Sequence, residues 1–272
     1  MNTEDLKNQP RPSFKNPPLI EVVAGVQFEH PLNLRTLDFA DIWTTFDREK
    51  FPKYREMPPL KPMLPDNVHM IDMSDLPPMR RFWFETEKQD ALIQTQQDRL
   101  IYNWKRPPAN FDDKNCYPRY DLVIEDFFKH YDTFINLLKE KEVTNAKPSF
   151  LELSYINLID IPENGLSDIK QIFKDIDWFS DSRILPVPDS IQHRWFFQVP
   201  DLPLRLVADL STRQRIHDGQ IALQYELSVR GPINKSSSED MREWFDNAHL
   251  WITHGFIDTT SEYIHKKWER EA

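Results

Sequence analysis

The stretch PPLIEVVAGVQFE, residues 17–29, decides how the rest of the chain is read. Ile20, Val22, Ala24, Val26 and Phe28 alternate with Glu21, Val23, Gly25, Gln27 and Glu29. This period of two predicts a strand with one apolar and one mixed face. Downstream, Phe39, Ile42, Trp43 and Phe46 recur at helical spacing over 37–51, and Pro52 closes that helix. A proline-rich connection is expected over 57–78. Strands follow at 80–86, 91–97 and 99–106, with turns at Lys88-Gln89-Asp90 and Gln97-Asp98. Pro107 and Pro108 stop the sheet. An amphipathic helix over 120–142 carries the stripe Val123, Ile124, Phe127, Phe128, Tyr131, Phe134, Ile135 and Leu138.

The same order then recurs. A strand is expected at 150–160 and a short helix at 168–176, capped by Ser167. Strands at 192–199, 204–212 and 221–230 precede a final helix over 239–268, opened by serines 236–238. Upstream of the first strand, residues 1–16 are polar and aperiodic and read as a flexible arm. The expected fold class is α+β, with two pseudo-repeats of β-α-β-β-β-α at 17–145 and 146–272 in one continuous domain. They would form a curved antiparallel sheet with helices on one face. The saddle of the TATA-binding protein has this order of elements, which is an analogy of topology and imports no function.

The chain has 34 basic and 44 acidic residues among 272, a net charge of −10. A phosphate backbone attracts basic surfaces, so general nucleic-acid binding is not expected. Aromatic residues make up 12% of the chain, enough for a packed interior. A single cysteine, Cys116, excludes an internal disulfide. No apolar run is long enough to span a bilayer, and the polar start does not resemble a signal peptide, so a cytoplasmic location is expected.

No Gly-x-Ser-x-Gly elbow or phosphate-binding glycine loop is present, and no catalytic residue, metal or cofactor is expected. His254 and Asp258, four apart on a helix, read as a surface pair rather than metal ligands. Asp209 and Glu226, on strands expected to be neighbours, could perform acid–base work. Arg205 and Arg230 nearby point instead to cross-strand ion pairing. The aromatics of the last helix, Trp244, Phe245, Trp251, Phe256 and Trp268, cannot all face one side, and any exposed remainder would suit a partner. The candidate ligand- or partner-binding residues are Gln27, Gln94, Gln96, Asn103, Asp209, Gln224 and Glu226, on the polar face of the sheet. They read either as a solvated face or as a groove for a peptide or polar ligand.

Several stretches carry a family resemblance. They are 17–28, Leu92-Ile93-Gln94-Thr95-Gln96 with Asp98-Arg99, Tyr102-Asn103-Trp104-Lys105-Arg106, Tyr117-Pro118-Arg119-Tyr120, 152–157 and 249–256. The chain resembles a sporadically distributed family of uncharacterised bacterial proteins, from residue 17 to near its end. The resemblance implies a bacterial source, no transferable catalytic set, and the scattered distribution of accessory genes. The leading expectation is a non-catalytic binding or regulatory protein, an antitoxin-like or defence-associated partner of a protein encoded nearby, with oligomers allowed. The alternatives are a small-ligand sensor with a cavity under the sheet, and a hydrolase using the paired carboxylates.

Overall fold

In the computed structural model, which describes residues 1–61, 63, 80–110, 113, 116–176, 184–215, 218–235 and 237–271, the alternating stretch forms β1 (Leu19–Phe28). Its neighbours are β5 (Arg99–Lys105) and β6 (Pro148–Asp160), both antiparallel to it. Val22 stands opposite Trp104 and Tyr155, Ala24 opposite Tyr102 and Leu153, and Val26 opposite Leu100 and Leu151. Cross-strand partners share a face, so one apolar surface runs across the centre of the sheet.

The remaining strands are β2 (Lys53–Met57), β3 (Arg81–Glu85), β4 (Ala91–Gln96), β7 (Gln192–Gln198), β8 (Arg205–Gln214) and β9 (Ile221–Pro232). Among the described residues they complete an open, nine-stranded antiparallel sheet in the order β2-β3-β4-β5-β1-β6-β9-β8-β7.

The apolar surface needs cover, and two long helices supply it. The stripe on α3 (Tyr120–Glu140) lies over β1 and β5, with Phe134 6.1 Å from Phe28 and His130 5.3 Å from Tyr102, ring centre to ring centre. The helix α4 (Ser238–Thr259) covers β6 and β9 through His249 on Tyr155 and Phe256 on Tyr225. The helices meet edge to face at Phe127 and Phe245, 5.0 Å apart. Both rings are fully buried, each stabilising the fold by about 1.5–3 kcal/mol. Among the described residues no helix is long and apolar enough to cross a membrane.

Several elements differ from the sequence reading. The strand β2 was not expected: its middle residues Tyr54, Arg55 and Glu56 are exposed at the sheet edge and show no apolar alternation. The helix α2 (Asp38–Thr45) is shorter than 37–51. The expected helix at 168–176 is instead a 3-10 segment, Gly165–Gln171; Ser167 Oγ donates to Asn164 O and caps nothing. Most of the connection expected at 57–78 lies outside the described residues, as does Ser236. Ser237 caps α4 by accepting from Asp240 N.

The helix expected over 239–268 breaks at Thr260-Ser261, and α5 (Glu262–Lys267) follows. Thr260 takes an extended conformation and bridges to Phe173, while Ser261 N donates to Ile172 O and its hydroxyl caps α5. Hydroxyl side chains of this kind satisfy backbone groups outside a helix, which makes the interruption inexpensive.

Residues 1–16 contain α1 (Thr3–Lys7), which is set by a capping box from Asn2. Leu6 is buried, and Thr3 Oγ1 accepts from Trp251 Nε1 of α4 at 3.1 Å. Phe14 is buried between Phe256 and Trp268 and bridges to Arg270. Two apolar anchors among polar residues give no periodicity, so neither contact was visible in sequence.

Gly231 marks the closest backbone approach in the sheet. A Cβ there would lie 2.7 Å from Pro203 O and 2.6 Å from Leu204 Cδ2; at Gly25 the nearest atom would be Ile101 Cγ1 at 3.3 Å, with Leu100 O and Glu152 Cβ at 3.8 and 3.9 Å. Gly231→Ala is expected to cost about 1–3 kcal/mol, read as a lower urea midpoint at unchanged slope, and Gly25→Ala less. The reverse ranking would contradict this packing.

Candidate functional site

The seven residues singled out from sequence all lie on the sheet face turned away from α3 and α4, as their registers require. They fall into two groups. In the first, Gln27 and Gln96 each grip the backbone N–H and C=O of one residue of their own chain. Gln27 Nε2 donates to Met63 O at 2.9 Å while Met63 N donates to Gln27 Oε1 at 2.6 Å. Gln96 pairs in the same way with Leu60, at 2.8 and 3.2 Å. Arg99, buried against Asp98, donates to Lys61 O between them. Gln94 Nε2 donates to Asn103 Oδ1, and Asn103 Nδ2 donates to Glu21 Oε1. Burial raises the pKa of Glu21 against these hydrogen bonds.

In the second group Asp209 and Glu226 are direct cross-strand neighbours, but both are engaged. Asp209 accepts from Arg194 Nε at 2.6 Å, and Glu226 from Ser228 Oγ at 2.7 Å. Ser228 meets Ser154, which donates to Glu152, the partner of Arg230. The cross-strand ion pairing expected here is seen for Arg230, which pairs with Glu152 opposite it on β6, while Arg205 stacks on Phe196. Gln224 stands between Leu158 and Ser211.

The chemistry of the helix side is different. There a cavity of about 260 Å³ lies between the sheet, the starts of α3 and β1, the middle of α4 and residues 11–14. Its wall includes Tyr117, Tyr120, Tyr155, Asn157 and His249, with Phe14, Leu19, Ile252 and Phe256 as apolar surface. Tyr120 stacks on His249 with ring centres 3.9 Å apart and planes 11° from parallel. The Tyr117 and Tyr155 hydroxyls are 2.9 Å apart, and Tyr120 donates to Asp246 Oδ1. The cavity floor coincides with a local irregularity in the β1–β6 register between Leu19 and Glu21, where Leu19 faces Asn157.

Arg11, Arg119 and Asp121 are exposed and mark the mouth. Among the described residues Arg11 makes no ion pair or hydrogen bond, and Arg119 donates to Phe14 O. Arg119 sits at φ 78°, ψ 160°, a region essentially reserved for glycine that costs another residue about 1–3 kcal/mol.

Titration in this site is displaced away from neutrality. Burial first, then the Arg11 charge, lowers the His249 pKa to about 3. Burial raises the hydroxyls of Tyr117, Tyr120 and Tyr155 well above their ordinary value. The wall is thus a set of neutral hydrogen-bonding groups at pH 7. His249 Nδ1 is buried without a hydrogen-bond partner.

His254, read as a surface residue, is buried, and its pKa is lowered by burial. Among the described residues no three or more His, Cys, Asp or Glu side chains cluster as a metal site. Burial pushes the Cys116 thiol up. Trp244, Phe245, Phe256 and Trp268 are buried and Trp251 half-buried, so the last helix leaves no exposed aromatic remainder from this set.

Sequence reasoning allowed a cavity under the sheet as an alternative, but none of its seven candidate residues lines this one. The available signal was that stretches 17–28, 117–120, 152–157 and 249–256, far apart in the chain, all contribute to its wall. No family model and no curated protein matches the chain.

His249 and His130, whose pKa burial lowers to about 4, set an acid limit on stability. The unfolded chain binds their protons below about pH 6.5, whereas the folded chain resists protonation until pH 3–4. Stability is therefore lost as pH falls through this window, by about 1.4 kcal/mol per pH unit for each histidine. His249→Phe keeps the ring contact and removes one titration. The fall in Tm from pH 7 to pH 5 is expected to be shallower in this variant, and an identical slope would contradict it.

Proposed function

We propose that this chain is a non-catalytic binding protein whose ligand is a small, largely apolar molecule held between the sheet and the helices α3 and α4. The observation that carries the reading is the cavity, with an aromatic wall and a few convergent polar groups. Its volume, just below the usual range for ligand clefts, favours a compact molecule. No side chain in the wall is poised near neutral pH for proton transfer, which favours binding over turnover. The engaged states of Asp209 and Glu226 weigh against the hydrolase alternative.

The two halves are read as a doubled β-α-β-β-β-α plan. In support, β1 and β6 adjoin at the centre, and the later strands of each half extend outward in reversed order. Among the described residues the strand β2 has no counterpart in the second half.

A compound library read by thermal shift tests the binding reading. A ligand at 100 times its Kd adds about 2.7 kcal/mol. Thr253→Trp, which fills the cavity from α4, is expected to remain folded and lose the shift. The reading fails if no small aromatic or aliphatic compound shifts the wild type and native mass spectrometry finds no co-purified molecule.

A second reading, a protein partner from a neighbouring gene, is favoured by the edge strand β7. Phe196 and Phe197 are 55% and 42% exposed there. Exposed edges accept added strands, and a net charge of −10 would steer a basic partner. Phe196→Lys would then abolish co-purification with the neighbouring gene product, and unchanged recovery would count against the β7 edge.

A further inference from the structure

The mouth of the cavity has a chemistry that its interior lacks. Arg11 and Arg119 stand there with one carboxylate, Asp121, giving an excess of one positive charge. Neither guanidinium is neutralised: Arg11 has no ion pair or hydrogen bond among the described residues, and Arg119 reaches only a backbone carbonyl. An Arg fork with open donors suits a planar carboxylate. The mouth is also the N-terminus of α3, where Tyr120 and Asp121 line the cavity and no side-chain hydrogen bond caps the helix. The positive field reaches inward, since Arg11 disfavours protonation of His249 and Arg119 favours ionisation of Tyr117.

We propose that the ligand is a small monocarboxylic acid with an aromatic or branched apolar body, its carboxylate held at the mouth by Arg119 and Arg11 and its body packed against the aromatic wall. This rests on the cavity being a binding site. The single excess charge matches a monoanion better than a phosphate dianion. The backbone of Arg119 supplies a separate reason: a glycine would relieve its conformation, so an arginine there trades stability for a placed guanidinium.

The test compares naphthalene-1-acetate with naphthalene-1-acetamide, close in shape and differing in charge, by isothermal titration. Wild-type protein is expected to bind the acid about ten-fold or more tightly, with affinity falling as salt rises. Arg119→Gln and Arg11→Gln are expected to reduce the preference while keeping amide binding. Arg119→Gly is expected to lose the preference with Tm at or above wild type, which an arginine needed only for folding would not do. Equal binding of acid and amide by wild type overturns the carboxylate proposal but leaves the cavity reading standing. An acid preference that survives both glutamine substitutions overturns the assignment to these arginines. Binding of neither compound, with no hit in the library, removes the cavity reading and this proposal together.

Discussion

The pairing of β1 with β6 is the contact on which the rest of the structure depends. Each is flanked on both sides, so their apolar residues are covered only from the helix side. Val22, Ala24 and Val26 have no accessible surface, and Leu151 and Leu153 opposite them have none either. A one-residue slip would turn this whole set to the other face, which makes the register costly to change. Once it is fixed, β5 and β9 are added on either side, α3 must cover the first group and α4 the second, and the two helices are brought to Phe127–Phe245 contact. The cavity sits at one end of this arrangement, where the regular pairing stops at Leu19. Regular pairing would continue the close packing there; the irregularity leaves Tyr155, Asn157 and Leu19 beside a space instead.

The two faces of the sheet meet different demands. On the helix side apolar burial dominates, and polar groups appear mainly where the cavity interrupts it. On the opposite face, buried amides and charges satisfy one another and the backbone of Leu60–Met63. Unmade hydrogen bonds at Gln27, Gln96 or Arg99 would each leave a buried polar group, at about 1–3 kcal/mol or more. These contacts are therefore sufficient to explain why glutamines and an arginine occupy strand positions whose neighbours are apolar. A polar sheet face of this kind needs no external ligand to account for its composition.

Legibility followed the range over which each signal is written. β1, β4, β5 and α3 were legible because their periodicities are local and long enough to stand out: α3 ends within two residues of the expected limit. β2 was not, because an edge strand with Tyr54, Arg55 and Glu56 exposed has no inside to advertise. The break at Thr260-Ser261 was not, because it depends on residues some ninety positions earlier, where Ile172 O accepts from Ser261 N and Lys174 N donates to Thr259 O. The polar face was legible as a set of residues on one side of a sheet. What they bind was not, since an amide facing water and an amide reading Met63 are the same letter.

The residues that line the cavity lay beyond sequence reasoning for the same reason, carried further. Arg11, Tyr120, Tyr155 and His249 belong to four segments, and none has a local pattern that marks it. His249 illustrates the point: on a helix it is one of several scattered histidines, and only the ring of Tyr120 stacked on it, together with its enclosure, makes it a neutral wall group. Arg119 is the exception that carries a local signature, though in the backbone and not in the side chain. Among the described residues six other than glycine take a positive φ, and Arg119, at φ 78°, ψ 160°, has the largest of these. That conformation costs a residue other than glycine about 1–3 kcal/mol. The Arg119 guanidinium both holds the Phe14 carbonyl and lies at the mouth of the cavity, beside an Arg11 that makes no ion pair or hydrogen bond among the described residues.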